Sequence, residues 1–195
     1  MMKFKSFFRY FYWLYILILI LTISLWVTVF DNLAKNEPYE EINIIYFGSN
    51  LDGEQLKNDL LEFTSGFEQE IKAVNVEVRN VEKDFFSTLL STKKVTNDIV
   101  IISEEYMFDY IGGSCFRTLK NVNIDAKYYM ESEVKYGIIV HDKEITNNKF
   151  SEYYAGESNV YLFFSPDSVN LGRLYNNGEK ENDAAIKVAE YLVGK

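Results

Sequence analysis

The sequence predicts an α/β domain, a single three-layer unit with a mostly parallel sheet, behind one N-terminal transmembrane helix. Three observations predict it. Residues 10–30, YFYWLYILILILTISLWVTVF, carry no charge over twenty-one positions. Continuous apolar runs (INIIYFG, DIVIIS, VYLFFS) have the pattern of strands buried on both faces. Between the first of these runs, apolar residues recur at helical spacing, and alternating strands and helices favour a parallel sheet covered by helices.

The N-terminal run is long enough to act as an anchor. At about 1.5 Å per residue it makes a helix of roughly 31 Å, the thickness of a bilayer's hydrocarbon core. Lys3, Lys5 and Arg9 precede it, whereas Asp31, Glu37, Glu40 and Glu41 follow with Lys35 alone among them. That asymmetry predicts a cytoplasmic N-terminus with the remainder outside. Tyr10, Tyr12, Trp13 and Tyr15 at one end and Trp26 near the other form an interfacial aromatic belt. A cleaved secretion signal has a shorter apolar core, about 7–15 residues, and a small-x-small cleavage site. Here Ala34 would pair with Asn32, a poor partner, so a retained single-pass signal anchor is the preferred reading. No Cys closes the run, which excludes a bacterial lipoprotein anchor. The chain therefore divides into a cytoplasmic tail (1–9), a transmembrane helix (10–30), a linker (31–41) and an extracytoplasmic α/β domain (42–195).

The outer part follows as a series. Residues 42–48 read as a buried strand; Asp52 as an N-cap with Gln55 as its capping-box partner; and residues 53–72 as a helix through Leu56, Leu60, Phe63, Phe67 and Ile71. Val74, Val76 and Val78 alternate with polar residues as in a half-buried strand. Asp84 opens a short helix holding Phe85, Phe86, Leu89 and Leu90, residues 98–103 form a strand for the middle of the sheet, and 104–111 read as a helix stopped by Gly112-Gly113. Strands at 136–140 and 160–165, a helical turn at 149–154, a turn at 165–168 and an amphipathic helix at 183–193 complete the domain.

Charge and composition narrow the function. Residues 1–9 hold three of the twenty basic groups and no acidic ones, leaving seventeen against twenty-nine, a net of −12. Such a surface argues against nucleic acid, which requires basic contacts to phosphate. Cys115 is the only cysteine, so no internal disulfide forms, and the high Asn, Lys, Ile, Tyr and Phe content points to an AT-rich bacterial genome and a Gram-positive surface.

Catalytic and metal motifs are missing from the sequence: there is no G-x-S-x-G, H-E-x-x-H or C-x-x-C. His141, the sole histidine, reads as a surface residue at a strand end, and Cys115 as a small buried residue. The segment Gly48–Gly53 lacks the Lys-Ser/Thr of a phosphate loop; as a calcium loop it places Asn50, Asp52 and Gly53 on ligand and turn positions but has Gly48 at the first ligand position and Asp59 in place of the bidentate Glu. Glu104, Glu105 and Asp109 follow a strand at the edge where open α/β sheets bind ligands, although acidic residues in a helix's first turn have a purely structural use as well. Ser49, Asn50, Ser103 and Glu104, from the loops after adjacent strands, are the candidate ligand-binding residues; no metal or cofactor is expected.

Residues 42–111 resemble the opening lobe of the extracellular solute-binding proteins of ABC importers. The resemblance lies in the strand INIIYFG, the helix end FTSGFE, the strand VNVEV, the helix DFFSTLLST and the run DIVIISEEYMFDYI; YGIIVHD is similar to that family's crossover into its other lobe. Members run to several hundred residues in two lobes and commonly carry a lipid anchor. This chain has room for about one lobe, and Thr96-Asn97-Asp98 stands where Ala-Pro-Asp often opens the third strand. The resemblance implies one lobe of a periplasmic-binding-protein fold and a non-catalytic binding or accessory domain, associated with an ABC-type uptake system. Its partners would be the membrane through residues 10–30, a permease or other membrane protein, and a small solute. Two alternatives stand beside it: a surface glycan hydrolase pairing Glu104 with another carboxylate, and a structural or assembly protein whose span packs in a complex.

Overall fold

The computed structural model describes residues 2–34, 36–68, 70–91, 97–120, 122–144, 147–172 and 183–194. It falls into two units, Met1–Asn36 and Glu37–Lys195.

The first unit is one helix, α1 (Met2–Ala34). Its stretch Phe11–Phe30 is long and apolar enough to cross a membrane, and none of that window is buried. Thr22 and Thr28 return their hydroxyls to the carbonyls of Ile18 and Ser24 at 2.8 and 2.9 Å, so neither leaves an unpaired donor on the apolar surface.

The second unit is α/β. Its strands are β1 (Glu41–Phe47), β2 (Ala73–Arg79), β3 (Ile99–Ser103), β4 (Tyr128–Glu131), β5 (Val134–His141) and β6 (Val160–Phe164), joined in one sheet of order β2-β1-β3-β6-β5-β4. β1 runs parallel to β2 and β3. The other three ladders are antiparallel, so the sheet is mixed rather than mostly parallel. The apolar runs do not encode this difference, because a central strand covered on both faces has the same composition whichever way its neighbour runs.

Burial alternates along the central strands. Ile42, Ile44 and Tyr46 of β1, Ile99 and Ile101 of β3 and Leu162 and Phe164 of β6 share one cluster with Leu56 and Leu60 of α2 (Gly53–Thr64) and Val188 and Leu192 of α5 (Ala184–Val193). Ile45, Phe47, Val100, Ile102 and Phe163 form the other with Phe86, Leu89 and Leu90 of α3 (Lys83–Ser91) and Ile111 of α4 (Ile111–Cys115). The period of two along each strand thus feeds two hydrophobic clusters from a single run of residues.

Asp52 does cap α2, its Oδ1 accepting from the Gln55 N–H at 3.0 Å. The helix ends at Thr64, however, well short of residue 72. Ser65 returns its hydroxyl to the Glu62 carbonyl at 2.6 Å, Gly66 follows, and Phe67 folds back edge-to-face on Phe63 with ring centres 5.1 Å apart. A hydroxyl competing for helix carbonyls followed by glycine is a poor continuation, and the hydrophobic contact fixes the exit. Gln69 lies outside the described residues, as do Thr92 and Thr96 of the segments likened to the binding-protein lobe.

The expected helix at 104–111 is a single 3-10 turn, Glu104–Tyr106, and Gly112-Gly113 lie inside the short α4 that follows rather than ending a helix. The turn at 149–154 is also 3-10, Lys149–Glu152. β4 has no counterpart in the sequence reading. It forms a hairpin with β5 through Ser132 and Glu133, at φ 47° and 68°. Two positive φ values fit the twist of a two-residue hairpin, but Ser-Glu lacks the Asn-Gly or Asp-Gly signature that would announce it.

At the starts of β1 and β3 a buried carboxylate joins distant segments. Asp98 accepts from the Asn43 N–H at 2.9 Å and the Ser168 hydroxyl at 2.5 Å, and Ser168 in turn accepts from the Asn170 N–H at 3.1 Å. The Asn170 amide donates to the Glu41 carbonyl at 2.8 Å. The turn read at 165–168, with Asn170 just after it, therefore closes the sheet end opposite the one considered next.

Candidate functional site

Because β5 runs parallel to β1 and β3, the carboxyl ends of all three lie on one edge, and β6 enters there. Ser103, Val160 and His141 are neighbours across it. The loop after β1 reaches this edge through Gly48 at φ 154°, whose N–H donates to the Arg79 carbonyl at 3.0 Å. A Cβ on Gly48 would overlap the Tyr46 hydroxyl and come within 3.0 Å of the Ser103 Cβ. Glycine there lets the loop lie against β3.

Ser49 and Ser103 meet at the Tyr46 hydroxyl. Tyr46 donates to the Ser49 carbonyl at 2.9 Å and hydrogen-bonds the Ser103 side chain. Tyr154 packs edge-to-face on Tyr46 with centroids 6.3 Å apart. Burial, with Tyr154 and Glu105 adding to it, pushes the Tyr46 hydroxyl well above its ordinary value, so it stays a protonated donor. Tyr46 and Ser103 are buried, whereas Ser49 and Asn50 are exposed.

Asn50 holds the left-handed conformation at φ 66°, and its carbonyl accepts from the Ala155 N–H at 2.9 Å. Leu51 then bridges to Tyr154. Glu104 lies on the other side of Ser103, exposed. Its Oε1 accepts from the Asn159 amide at 3.2 Å, and its Oε2 stands 3.9 Å from the Lys143 ammonium. The structure thus brings Ser49, Asn50 and Ser103 around the Tyr46–Tyr154 pair and sets Glu104 beside Asn159 and Lys143. What lies open at this edge is a polar rim of Ser49, Asn50 and Glu104 over buried tyrosines.

His141 differs from its sequence reading. It is buried, at 3% exposure, because the bulge between Ile139 and His141 and the contact with Tyr154 (centroids 4.9 Å apart, edge-on) turn its ring inward. Its Nδ1 lies 2.8 Å from the Ser151 hydroxyl. Burial lowers the imidazole pKa, and the neighbouring Asp142 opposes that shift. Asp142 is itself held below the ordinary carboxylate range, first by the hydrogen bond from Lys127. Cys115 is half-buried, and burial raises its thiol pKa, with Glu131 adding to the shift, which makes a poor nucleophile. Among the described residues no group of three His, Cys, Asp or Glu side chains is placed to hold a metal.

A cavity away from this edge has no counterpart in the sequence reading. About 370 Å³ in volume, it lies between residues 125–127, the end of β5, Asn148 and the last residue of α5, Val193. No sequence motif marks it, since its walls come from four separated segments.

Comparison with protein-family models, with curated proteins and with solved structures returns no match.

Proposed function

We propose that this chain is a membrane-tethered, non-catalytic binding domain. In this reading α1 is a retained anchor with its N-terminus in the cytoplasm, and Glu37–Lys195 is a three-layer extracytoplasmic domain working beside an ABC-type solute uptake system. The observation that carries the reading is the apolar helix Phe11–Phe30, none of it buried, preceded by Lys3, Lys5 and Arg9. An exposed apolar surface of that length is stable in lipid and a liability in water. The excess of basic residues before the span supports the orientation. The polar rim of Ser49, Asn50 and Glu104 at the carboxyl edge supports binding of a solute or of a permease surface.

Two measurements on cells test the reading. Protease added to intact cells should remove a C-terminal tag and spare an N-terminal one; the reverse pattern would overturn the orientation. A deletion strain should lose uptake of at least one class of solute and regain it with the wild-type chain. Unchanged uptake across sugars, peptides and amino acids would sink the transport link.

A further inference from the structure

We propose that the β2 edge of the sheet is an interface with a second copy of this chain, β2 pairing antiparallel with β2 about a two-fold axis at Val76. The strand order leaves β2 and β4 as the two edges. They differ in kind. β4 has four residues and a bulge between Tyr129 and Met130, which blunts further pairing. β2 pairs with β1 without a break from Ala73 to Arg79, and it contains none of the devices (bulge, proline, lysine) that keep an edge solitary.

The backbone specifies the kind of partner. The Arg79 carbonyl accepts from the Gly48 N–H, on the β1 side. Successive residues of a strand turn their N–H and C=O to opposite sides, so Ala73, Asn75 and Glu77 also face β1, and Val74, Val76 and Val78 face outward. No described strand pairs with that outer row. Another extended chain is what satisfies donors and acceptors at this spacing.

The side chains select a second copy. With the axis at Val76, Val76 faces Val76 of the other copy and Val74 faces its Val78 in each direction, a row of β-branched pairs. On the opposite face Glu77 meets Asn75, which spends one amide hydrogen on Asn43 at 3.0 Å and has another to offer. Arg79 stays bound to its own Glu77 at 2.7 Å. Residues 73–79 thus carry one acidic and one basic group, a neutral edge on a strongly acidic unit, where two copies meet without opposing like charges. An axis one residue further on would set the two Glu77 carboxylates against each other. The helix above the strand adds to the surface. Gly53 of α2 lies against Val78 and Val76, and Phe63 turns toward α5, stacking on Tyr191. Leu61, two residues before Phe63 and so nearly opposite it on the helix, points to the β2 side. Leu61 and Val78 are 41% and 43% exposed, and a second copy would cover both. This interface does not use the carboxyl-edge rim and stands or falls independently of the transport reading.

The test is amide hydrogen exchange, read by NMR on the full chain in detergent with micelles in excess over protein, across a range of protein concentrations. Sedimentation gives the mass at each one. The chain should pass from monomer to dimer, and the Val74, Val76 and Val78 amides should slow by about tenfold or more as it does. Those of Asn75, Glu77 and Arg79 should be slow throughout, because β1 already holds them. Val78→Lys, at an exposed edge position, should keep the chain monomeric with the melting temperature of the dilute wild type. Val76→Pro removes an outward N–H that β1 does not use and should do the same. A wild-type chain monomeric at every concentration, a dimer whose three outer amides still exchange fast, or a dimer that survives Val78→Lys would each overturn the proposal.

Discussion

Burial of the His141 ring beside Tyr154 makes the neutral imidazole the form the folded chain prefers, with Nδ1 bonded to Ser151. Its pKa is lowered from 6.5 by that burial. A group depressed in the folded state contributes stability that is present above its unfolded pKa and lost as pH falls through the folded one. The melting temperature should therefore fall as the pH drops below about 6.5, and His141→Asn, which keeps an acceptor near the Nδ1 position without the titration, should flatten that slope. Identical pH–melting curves for the two chains would show that His141 does not couple to folding. Asp98 works in the opposite sense. Its carboxyl pKa is raised by burial, with Ser168 and Asn43 pulling it back, so its contribution diminishes as pH rises through the folded value. Comparing wild type with the His141 variant at each pH isolates the histidine from it. Truncating the carboxylate, Asp98→Ala, takes the acceptor from Ser168 and from the Asn43 N–H. Each buried orphan costs about 1–3 kcal/mol, and denaturant melts should show a loss of about 3 kcal/mol. Neither role was legible in the sequence. The partner of Asp98 lies 70 residues away, and the burial of His141 depends on a bulge and on Tyr154.

Among the elements, α4 shows most directly how a short piece of structure is held by its neighbours. Glu131, the last residue of β4, takes the N–H groups of Gly112 and Gly113 at 2.7 and 2.9 Å and the Tyr129 hydroxyl at 2.9 Å. A five-residue helix is not stable alone, so this carboxylate and the packing of Ile111 fix it against the hairpin. Tyr136 of β5 occupies the space beside Gly112, where a Cβ would come within 2.7 Å of its ring. Gly112→Ala should cost about 1–3 kcal/mol through that overlap. Glu131→Ala should cost a similar amount by orphaning backbone donors, and Glu131→Gln less. Equal melts for the Ala and Gln variants at position 131 would rule out the carboxylate as the clamp. The Gly-Gly pair reads as a helix stop in the sequence yet lies inside α4, and the reason for glycine at 112, a tyrosine 24 residues on, was not legible. The elements that were legible carry either a continuous apolar run (β1, β3, β6) or helical period (the start of α2 and all of α5). Strand direction was not, because burial on both faces erases the alternation that distinguishes edges. The candidate site shares this split. Ser49, Asn50, Ser103 and Glu104 follow from where strands end, whereas the filling of the space between them by Tyr46 and Tyr154 requires the fold.

At the scale of the molecule, the chain divides at Asn36 into an apolar helix and an acidic folded unit. Residues 37–195 hold sixteen basic and twenty-eight acidic groups, a net of −12. With about 160 residues and two hydrophobic clusters, this unit has the size at which a domain stabilises itself without disulfides. Expressed alone, residues 37–195 should stay soluble and unfold cooperatively, with a melting temperature within a few degrees of the full chain in micelles. Non-cooperative melting with strong dye binding to exposed apolar surface would mean that the helix is part of the fold and not an anchor. The same pair of proteins addresses the fate of α1. A retained span keeps the full chain in the membrane fraction through high-salt and carbonate washes, since about 20 apolar residues in lipid do not release by screening charge. The intact mass of the membrane-extracted chain then decides between anchor and signal. The full mass is expected, and loss of the first thirty or so residues would make the mature protein the acidic domain alone.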